Sequence, residues 1–562
     1  MKVFVQGKGP ASLTKNDFLA AGGQGQVFAK GSLAYKIYDD PSKMIPVAKI
    51  GELAAITEPK VIKPEDVLLD DKGKPIGYTM RFVRDTYTLC QIFTKAFRQR
   101  TNLTPDLMLA LVRDLQATVK TVHSRGVLIV DLNEMNFLVN HGLSEVYAID
   151  VDSWQTKSFH AAALMESVRD RHSKPNHFSE LTDWFAFAIV SFQMLIGIHP
   201  YKGRHPKFGD DMDARMTHNL SVLNPEVAFP KAVVQSFNVI PEVYLRWYEA
   251  VLERGQRLAP PEDLVASIPQ FTTARLVPAI GGAIEITKLF ELPGDIVDFF
   301  DWAGNPVTFT ETEVYLGDRW VINAFPGAVV GFSPKMSRPI LAAIHAERLW
   351  LYDLMGKRSV PLDIAAKAVM VSNDRIYAVS ATSIIEVRFF ETATTVMAAP
   401  VVVGSCLELS TKAYDGVILQ DLLGSYYGSF FPKSETHHQI RLRELDGYRI
   451  VDAKSSGPVL MVVASKSGKY DRFVYRFSAD YANHDLRKIH DITPTGLNFV
   501  TLPSGVCVQI DEEGDVRVFS SKIGSAAEKI ITEPAVADMK LVVRGAQLIG
   551  LRGHEAFSLR MK

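Results

Sequence analysis

The sequence predicts a multidomain protein, a mixed α+β first half followed by an all-β second half. Three observations predict it. The chain has 562 residues, more than one hydrophobic core organises, so two to four domains are expected. Up to about residue 270 strand and helix periodicities mix, and beyond it helical periodicity nearly disappears. In its place come β-rich runs such as "VTFTETEVYLG", "RIYAVSATSIIEVRFF" and "KYDRFVYRFS", separated by Gly, Asp, Asn and Ser turns. These clusters recur roughly every 35–50 residues over 282–562, the period of four-stranded propeller blades. Six or seven units are expected. They carry no WD or kelch signature, and a pair of two-sheet sandwiches is the competing architecture.

Along the first half, "LAAGGQGQVFAKGSLAYKIY" places Gly22, Gly23 and Gly25 ahead of a strand at Val27–Ala29. "KGS" turns the chain, and Leu33–Tyr38 returns as a second strand. Such a hairpin lets backbone N–H groups approach a phosphate without a Cβ in the way, although a plain hairpin uses the same residues. Ala34, Lys36 and Tyr38 share one face of the return strand by its two-residue alternation. Lys36 is unusual on an otherwise apolar strand and is read either as a functional cation or as an edge lysine reaching water. "PVAKIGELAAI" has Pro46 at a first helical position, with Glu52 as its only acid. "TPDLMLALVRDLQATVKTVHSRG" reads as a helix with Leu107, Leu109, Leu111, Leu115 and Val119 apolar and a Gly behind its end.

The chemistry concentrates in "GVLIVDLNEMNFLV" and "YAIDVDSW". Asp131 closes one apolar run, and Asn136 opens the next. "FLV" and "VYAID" form a hairpin around "NHGLSE", which brings Asn136 and Asp150 to one end. A carboxylate near an acceptor hydroxyl, a neutral amide oxygen and a second acid suit Mg²⁺-assisted phosphoryl transfer. Downstream, "WFAFAIVSFQMLIGI" is fifteen residues long, short for a membrane span, and reads as a buried helix. "ARLVPAIGGA" connects the halves, with a linker expected at 273–281.

The bulk numbers narrow the function. A formal net charge of −1 argues against a general nucleic-acid binder. Cys90, Cys406 and Cys507 show no metal or disulfide spacing, so a reducing compartment without disulfides is expected. The first residues, "MKVFVQGKGPASLTKND", hold no apolar core of signal-peptide length. A cytoplasmic protein that does not enter a membrane is expected.

"HSRGVLIVDLNEMNFLV" resembles the catalytic loop of the eukaryotic-like protein kinase superfamily. The family's H-R-D falls on Ile129, Val130 and Asp131, its D-x-x-x-x-N on Asp131 to Asn136, and its D-F-G on Asp150, Val151 and Asp152. "AGGQGQVF" is similar to the glycine-rich loop, "AYKIY" to the A-x-K strand, "ELTDWFAFAIVSFQMLIGIHPY" to the large buried helix, and "RGQRLAPP" to the late Arg region. "DVDSW" is similar to a bacterial kinase-like group. The resemblance covers roughly residues 10–270. It implies a bilobal fold over 1–272, with an N-lobe at about 1–83 and a C-lobe at about 84–272.

The resemblance also implies ATP and Mg²⁺ as cofactors. Lys36 and Asp131 are then the catalytic pair, Asn136 and Asp150 hold metal, and Gly22, Gly23, Gly25, Val27, Ala34, Lys36 and Met80 bind the nucleotide. Glu52 partners Lys36, Asp183 braces the catalytic loop, and Arg257 supports the fold. The sequence departs from the family at several places, beginning with Ala20 where the glycine-rich loop has its first glycine. Asn133 stands where Ser/Thr kinases carry a basic residue, and Val130 stands where the family has Arg. No A-P-E is recognisable between Trp154 and Thr182, and Asp152 replaces the family's Gly. Asp152 is read as a second metal ligand or a strand-end cap. The expected function is an ATP- and Mg²⁺-dependent kinase of the Ser/Thr protein type, its propeller recruiting a protein substrate or partner. Alternatives are a pseudokinase scaffold and a small-molecule kinase or AMP transferase.

Overall fold

The computed structural model describes all residues except 23, 162–164, 230–235, 263–281, 303–304, 336, 393–394, 433–436 and 495. The expected linker at 273–281 and Gly23 lie outside the described residues. The chain is mostly β, built from many small sheets with few helices.

The first half opens with one seven-stranded antiparallel sheet. Its strands are β1 (Lys2–Val5), β2 (Gly9–Ser12), β3 (Phe18–Gly22), β4 (Gly25–Lys30), β5 (Leu33–Tyr38), β6 (Val67–Leu69) and β7 (Pro75–Arg81), in the spatial order β2-β1-β6-β7-β5-β4-β3. Between β5 and β6 runs the short helix α1, Val47–Leu53. After the sheet come strand β8, Thr86–Thr88, and helix α2, Lys95–Thr101.

Two longer helices organise the rest of the first half. Helix α3, Pro105–His123, starts where the Thr104 hydroxyl accepts the Leu107 N–H, with proline in the first turn. Its buried stripe is Met108, Leu111, Val112, Leu115, Val119 and Val122. Leu107, expected on that face, is instead 39% exposed; Met108 and Val112 complete the 3.6-residue stripe in its place. Strands β9 (Phe137–Asn140) and β10 (Val146–Ala148) form an antiparallel hairpin, and β8 pairs with β9. Helix α4, Glu180–Ile196, is capped by Ser179 and ends at Gly197, whose φ of +89° suits a residue without Cβ. It is buried all round from Asp183 to Ile196, which explains its uniformly apolar sequence. Among the described residues no helix is long and apolar enough to cross a membrane.

In the second half, the described residues form seven four-stranded antiparallel sheets. Six are made of consecutive strands. They begin at Ile296, Val329, Ala368, Thr411, Arg449 and Phe499, and are called here the first to sixth sheets. The seventh combines the last three strands, Lys540–Arg544, Gln547–Arg552 and Glu555–Met561, with Ile284–Glu291 from the start of the half. Ile284–Glu291 pairs antiparallel with Glu555–Met561, so the two ends of this half are hydrogen-bonded to each other. The first strands of the first six sheets and Lys540–Arg544 of the seventh line one cavity of about 1240 Å³, and α2 lines it as well.

Candidate nucleotide and phosphoryl-transfer site

The site forms where the first-half sheet meets the loops before β9 and after β10. In the sheet, Val27 lies opposite Lys36, and Lys36 opposite Tyr78. Ala29, Ala34 and Met80 form the neighbouring row. Residues directly opposite across an antiparallel pair share a face. Val27, Ala34, Lys36 and Met80 therefore line one surface, together with Tyr38. The strand carrying Lys36 is approached closely from both sides. A Cβ on Gly25 would fall 2.1 Å from the Ile37 carbonyl oxygen, and one on Gly77 would fall 2.0 Å from that of Lys36. Glycine is thus required at 25 by the sheet itself, whatever else it serves.

Lys36 is buried and held by two carboxylates, Asp150 Oδ1 at 2.9 Å and Asp152 Oδ2 at 2.7 Å. The Tyr38 hydroxyl donates to the same Asp152 oxygen at 2.5 Å. Lys49 of α1 donates to the Asp152 backbone carbonyl at 2.7 Å. Burial pulls the Lys36 ammonium down, but the two carboxylates more than offset it and its pKa ends raised. Burial likewise pushes the Asp152 carboxyl up, and Lys36 with the tyrosine hydroxyls leaves it below the ordinary range.

The expected pairing of Lys36 with Glu52 is not what the structure contains. The Glu52 carboxylate instead accepts the Ser158 N–H at 3.2 Å, and Asp152 together with Asp150 occupies the counter-ion role. Asp152 does not act as a strand-end cap either, since its carboxylate is used by Lys36 and Tyr38. Asp152→Ala is expected to destabilise the first half by about 3–5 kcal/mol, the cost of breaking a buried pair from one side. Denaturant unfolding measures it.

The catalytic-loop segment is held from below by Asp183, in the first turn of α4 and fully buried. Its Oδ2 accepts the Ile129 N–H and its Oδ1 the Val130 N–H, both at 2.8 Å, and His123 Nε2 lies 2.9 Å from Oδ2. Val130 has φ +63°, a strained backbone for a β-branched residue, and the two bonds to Asp183 hold it. Asp183→Asn puts an N–H where one of those donors points. A loss of about 2 kcal/mol in unfolding free energy is expected, again read by denaturant.

Beyond this strained residue, Asp131 accepts the Met165 N–H at 2.8 Å and the Asn136 side-chain N–H at 3.2 Å. Burial raises its carboxyl pKa against these bonds. Asn136 also donates to the Asp131 carbonyl at 3.0 Å, and its Oδ1 has no hydrogen-bond donor among the described residues. The Ile149 N–H donates to the Asn136 carbonyl at 2.9 Å, which sets Asp150 beside Asn136. The Asp150 side chain is 53% exposed. A part-exposed carboxylate, an uncommitted amide oxygen and a lysine suit a hard divalent cation and phosphate oxygens. Asn133 is fully buried; it donates to the Asp131 carbonyl and accepts the Met135 N–H. Its side chain is part of the loop's scaffold.

Arg257 forms a bidentate pair with Asp170, both bonds 2.6 Å, and stacks over Phe185 with its guanidinium 4.3 Å from the ring centre. Burial raises the Asp170 carboxyl, and Arg257 overcomes this and holds it low. Sequence reasoning missed Asp170, because an acid in the polar stretch "RDRHSKPN" looks like any surface acid. It also missed the roles of Lys49 and Tyr78. Tyr38 was legible as a residue sharing the Lys36 face, but its partner was not.

The residues so assembled bring a lysine, two carboxylates and an amide oxygen into one candidate site. Proteins named Protein kinase YegI from two Escherichia coli strains are similar to this chain. It is 28% identical to the O157:H7 protein over 207 residues, 33% of this chain and 32% of that protein. It is 28% identical to the K12 protein over 208 residues, with the same shares. The chain spans about a third of the length of the curated relatives it matches. No family model matches. The similarity supports a kinase-like domain in this chain.

Proposed function

We propose that the chain is an ATP- and Mg²⁺-dependent phosphotransferase, of the Ser/Thr protein kinase type. The observation that carries the reading is the convergence of Lys36, Asp131, Asn136 and Asp150, from three separate segments, in one site. The name of the Escherichia coli relatives supports a protein acceptor. In this reading Lys36 holds the α- and β-phosphates, while Asn136 and Asp150 hold the metal. Asp131 orients the acceptor hydroxyl and takes its proton. Val27, Ala34 and Met80 give the base an apolar wall, with the hairpin that carries Gly22 and Gly25 over the phosphates. When bound, Mg²⁺ neutralises phosphate charge as the bond to the leaving oxygen breaks.

Together the seven sheets form a seven-bladed propeller in this reading. The pairing of its first and last strands is the supporting feature, since Ile284–Glu291 completes the seventh four-stranded sheet and ties the two ends of the half together. The propeller is proposed to dock a protein substrate or partner, with its loops presented around one rigid face.

A second reading, a nucleotide-binding pseudokinase scaffold, is favoured by two features. Both Asp131 carboxylate oxygens are already hydrogen-bonded within the chain, and the buried Asn133 supplies no cation for a transferring phosphoryl group. Incubation of the full chain with γ-labelled and α-labelled ATP separates the readings. Transfer of the γ label to protein supports the kinase and transfer of the α label supports an AMP transferase. ATP binding without transfer supports the scaffold.

A further inference from the structure

The second half is built into this site. Tyr470, on the fifth-sheet strand Lys469–Phe477, donates its hydroxyl to Glu134 Oε1 and lies 3.9 Å from Met135 Sδ. Arg449, which opens the same sheet, donates to the Met135 carbonyl at 2.7 Å. The Met135 side chain packs in one apolar cluster with Val459, Met461, Val463 and Val474 of that sheet. At the turn between its second and third strands, Gly468 approaches Met165 so closely that a Cβ there would fall 2.5 Å from Met165 Cγ. Met165 is the residue whose N–H binds Asp131. The fourth sheet touches the opposite wall, with Gly424 against Ala21 of β3.

Glu134 explains why these contacts matter. It lies between Asp131 and Asn136 in the chain and is 2% exposed. Tyr470 is the one described side chain that hydrogen-bonds its carboxylate, whose Oε2 has no partner. A buried carboxylate is costly to leave unpaired, so the loop's position is tied to the Tyr470 hydroxyl. The loop is then gripped at two points. Asp183 holds Ile129 and Val130, while Tyr470 and Arg449 hold Glu134 and Met135. Asp131 lies between the two grips, and Asn136 directly follows the second.

We infer that Tyr470, with Arg449, is a positioning residue for phosphoryl transfer that the all-β half supplies to the catalytic loop, acting through Glu134 and Met135. The inference rests on the phosphotransferase reading above. The test uses the full chain carrying Tyr470→Phe, which keeps the ring and removes the hydroxyl. The expected result is a fall of about 10- to 100-fold in kcat, the scale of a small misplacement at a reacting group, with the KM for ATP unchanged. Amide hydrogen exchange across residues 131–136 is expected to quicken. The double variant Tyr470→Phe/Glu134→Met removes both polar partners and is expected to restore slow exchange and most of the kcat. Unchanged kcat and exchange in Tyr470→Phe would overturn the inference. So would a parallel loss of thermal stability, ATP affinity and kcat without rescue by the double variant, which would mark Tyr470 as a packing residue alone. If the wild-type chain transfers no label from ATP, the phosphotransferase reading fails by itself. The exchange measurement then decides whether Tyr470 holds the loop.

Discussion

Asp150→Ala in the full chain is expected to abolish the thermal stabilisation produced by ATP with Mg²⁺. The wild-type chain at a ligand concentration about 100 times Kd gains about 2.7 kcal/mol by mass action, and the variant is expected to gain none. The reason is electrostatic: Asp150 is the part-exposed carboxylate beside Asn136 and Lys36, and in the proposed reading it holds a cation between phosphate groups. The structure makes the test clean. Lys36 keeps its second carboxylate, Asp152 at 2.7 Å, and Asp152 keeps Tyr38 and Lys49 around it. In the proposed reading the variant therefore loses the metal-holding carboxylate, while the other partners of Lys36 and Asp152 stay in place. Differential scanning with ATP and Mg²⁺, with ATP and EDTA, and without ligand supplies the comparison. An undiminished ATP-induced shift in the variant would remove Asp150 from the metal site.

Asp131→Asn is expected to leave ATP binding intact and to lower transfer by about 10²–10⁴-fold, the usual contribution of a positioned acid–base group. Binding survives because Lys36, Asp150 and the free Asn136 oxygen are untouched. Transfer falls for two reasons that act together. The amide cannot accept the acceptor's proton. It also presents an N–H to one of two donors, Met165 or Asn136, that now bind the carboxylate, so one of those bonds is lost. Single-turnover measurement with γ-labelled ATP, alongside equilibrium nucleotide binding, separates the two effects. Equal transfer by variant and wild type would assign the base elsewhere.

Much of the arrangement of the candidate site was legible in the sequence. Asp131, Asn136 and Asp150 follow from their spacing around a hairpin, and that hairpin is present as β9 and β10. Lys36 stood out because a charge interrupts an apolar strand. The acid on α1 shows where such reasoning stops. Glu52 was the one acid available in that segment, yet its carboxylate binds Ser158, and the ion partner of Lys36 comes from more than a hundred residues further along the chain. Asp170 was hidden for the same reason, since its partner Arg257 is 87 residues away.

The sequence by itself determined the division into a mixed first half and a β second half, the turns and strands that carry the chemistry, and which polar residues interrupt apolar runs. These are local properties: hydrophobic period, turn residues and caps act over a few neighbouring positions. Only the tertiary structure decided which charges pair. It set Asp152 against Lys36, Asp183 against the strained Val130, and Asp170 against Arg257. It also closed the β half upon the first, through Tyr470 on Glu134, Arg449 on Met135 and Gly468 on Met165. Such pairings depend on the relative placement of distant segments. Burial makes each one consequential, because a charge removed from water must find its partner wherever the fold puts it.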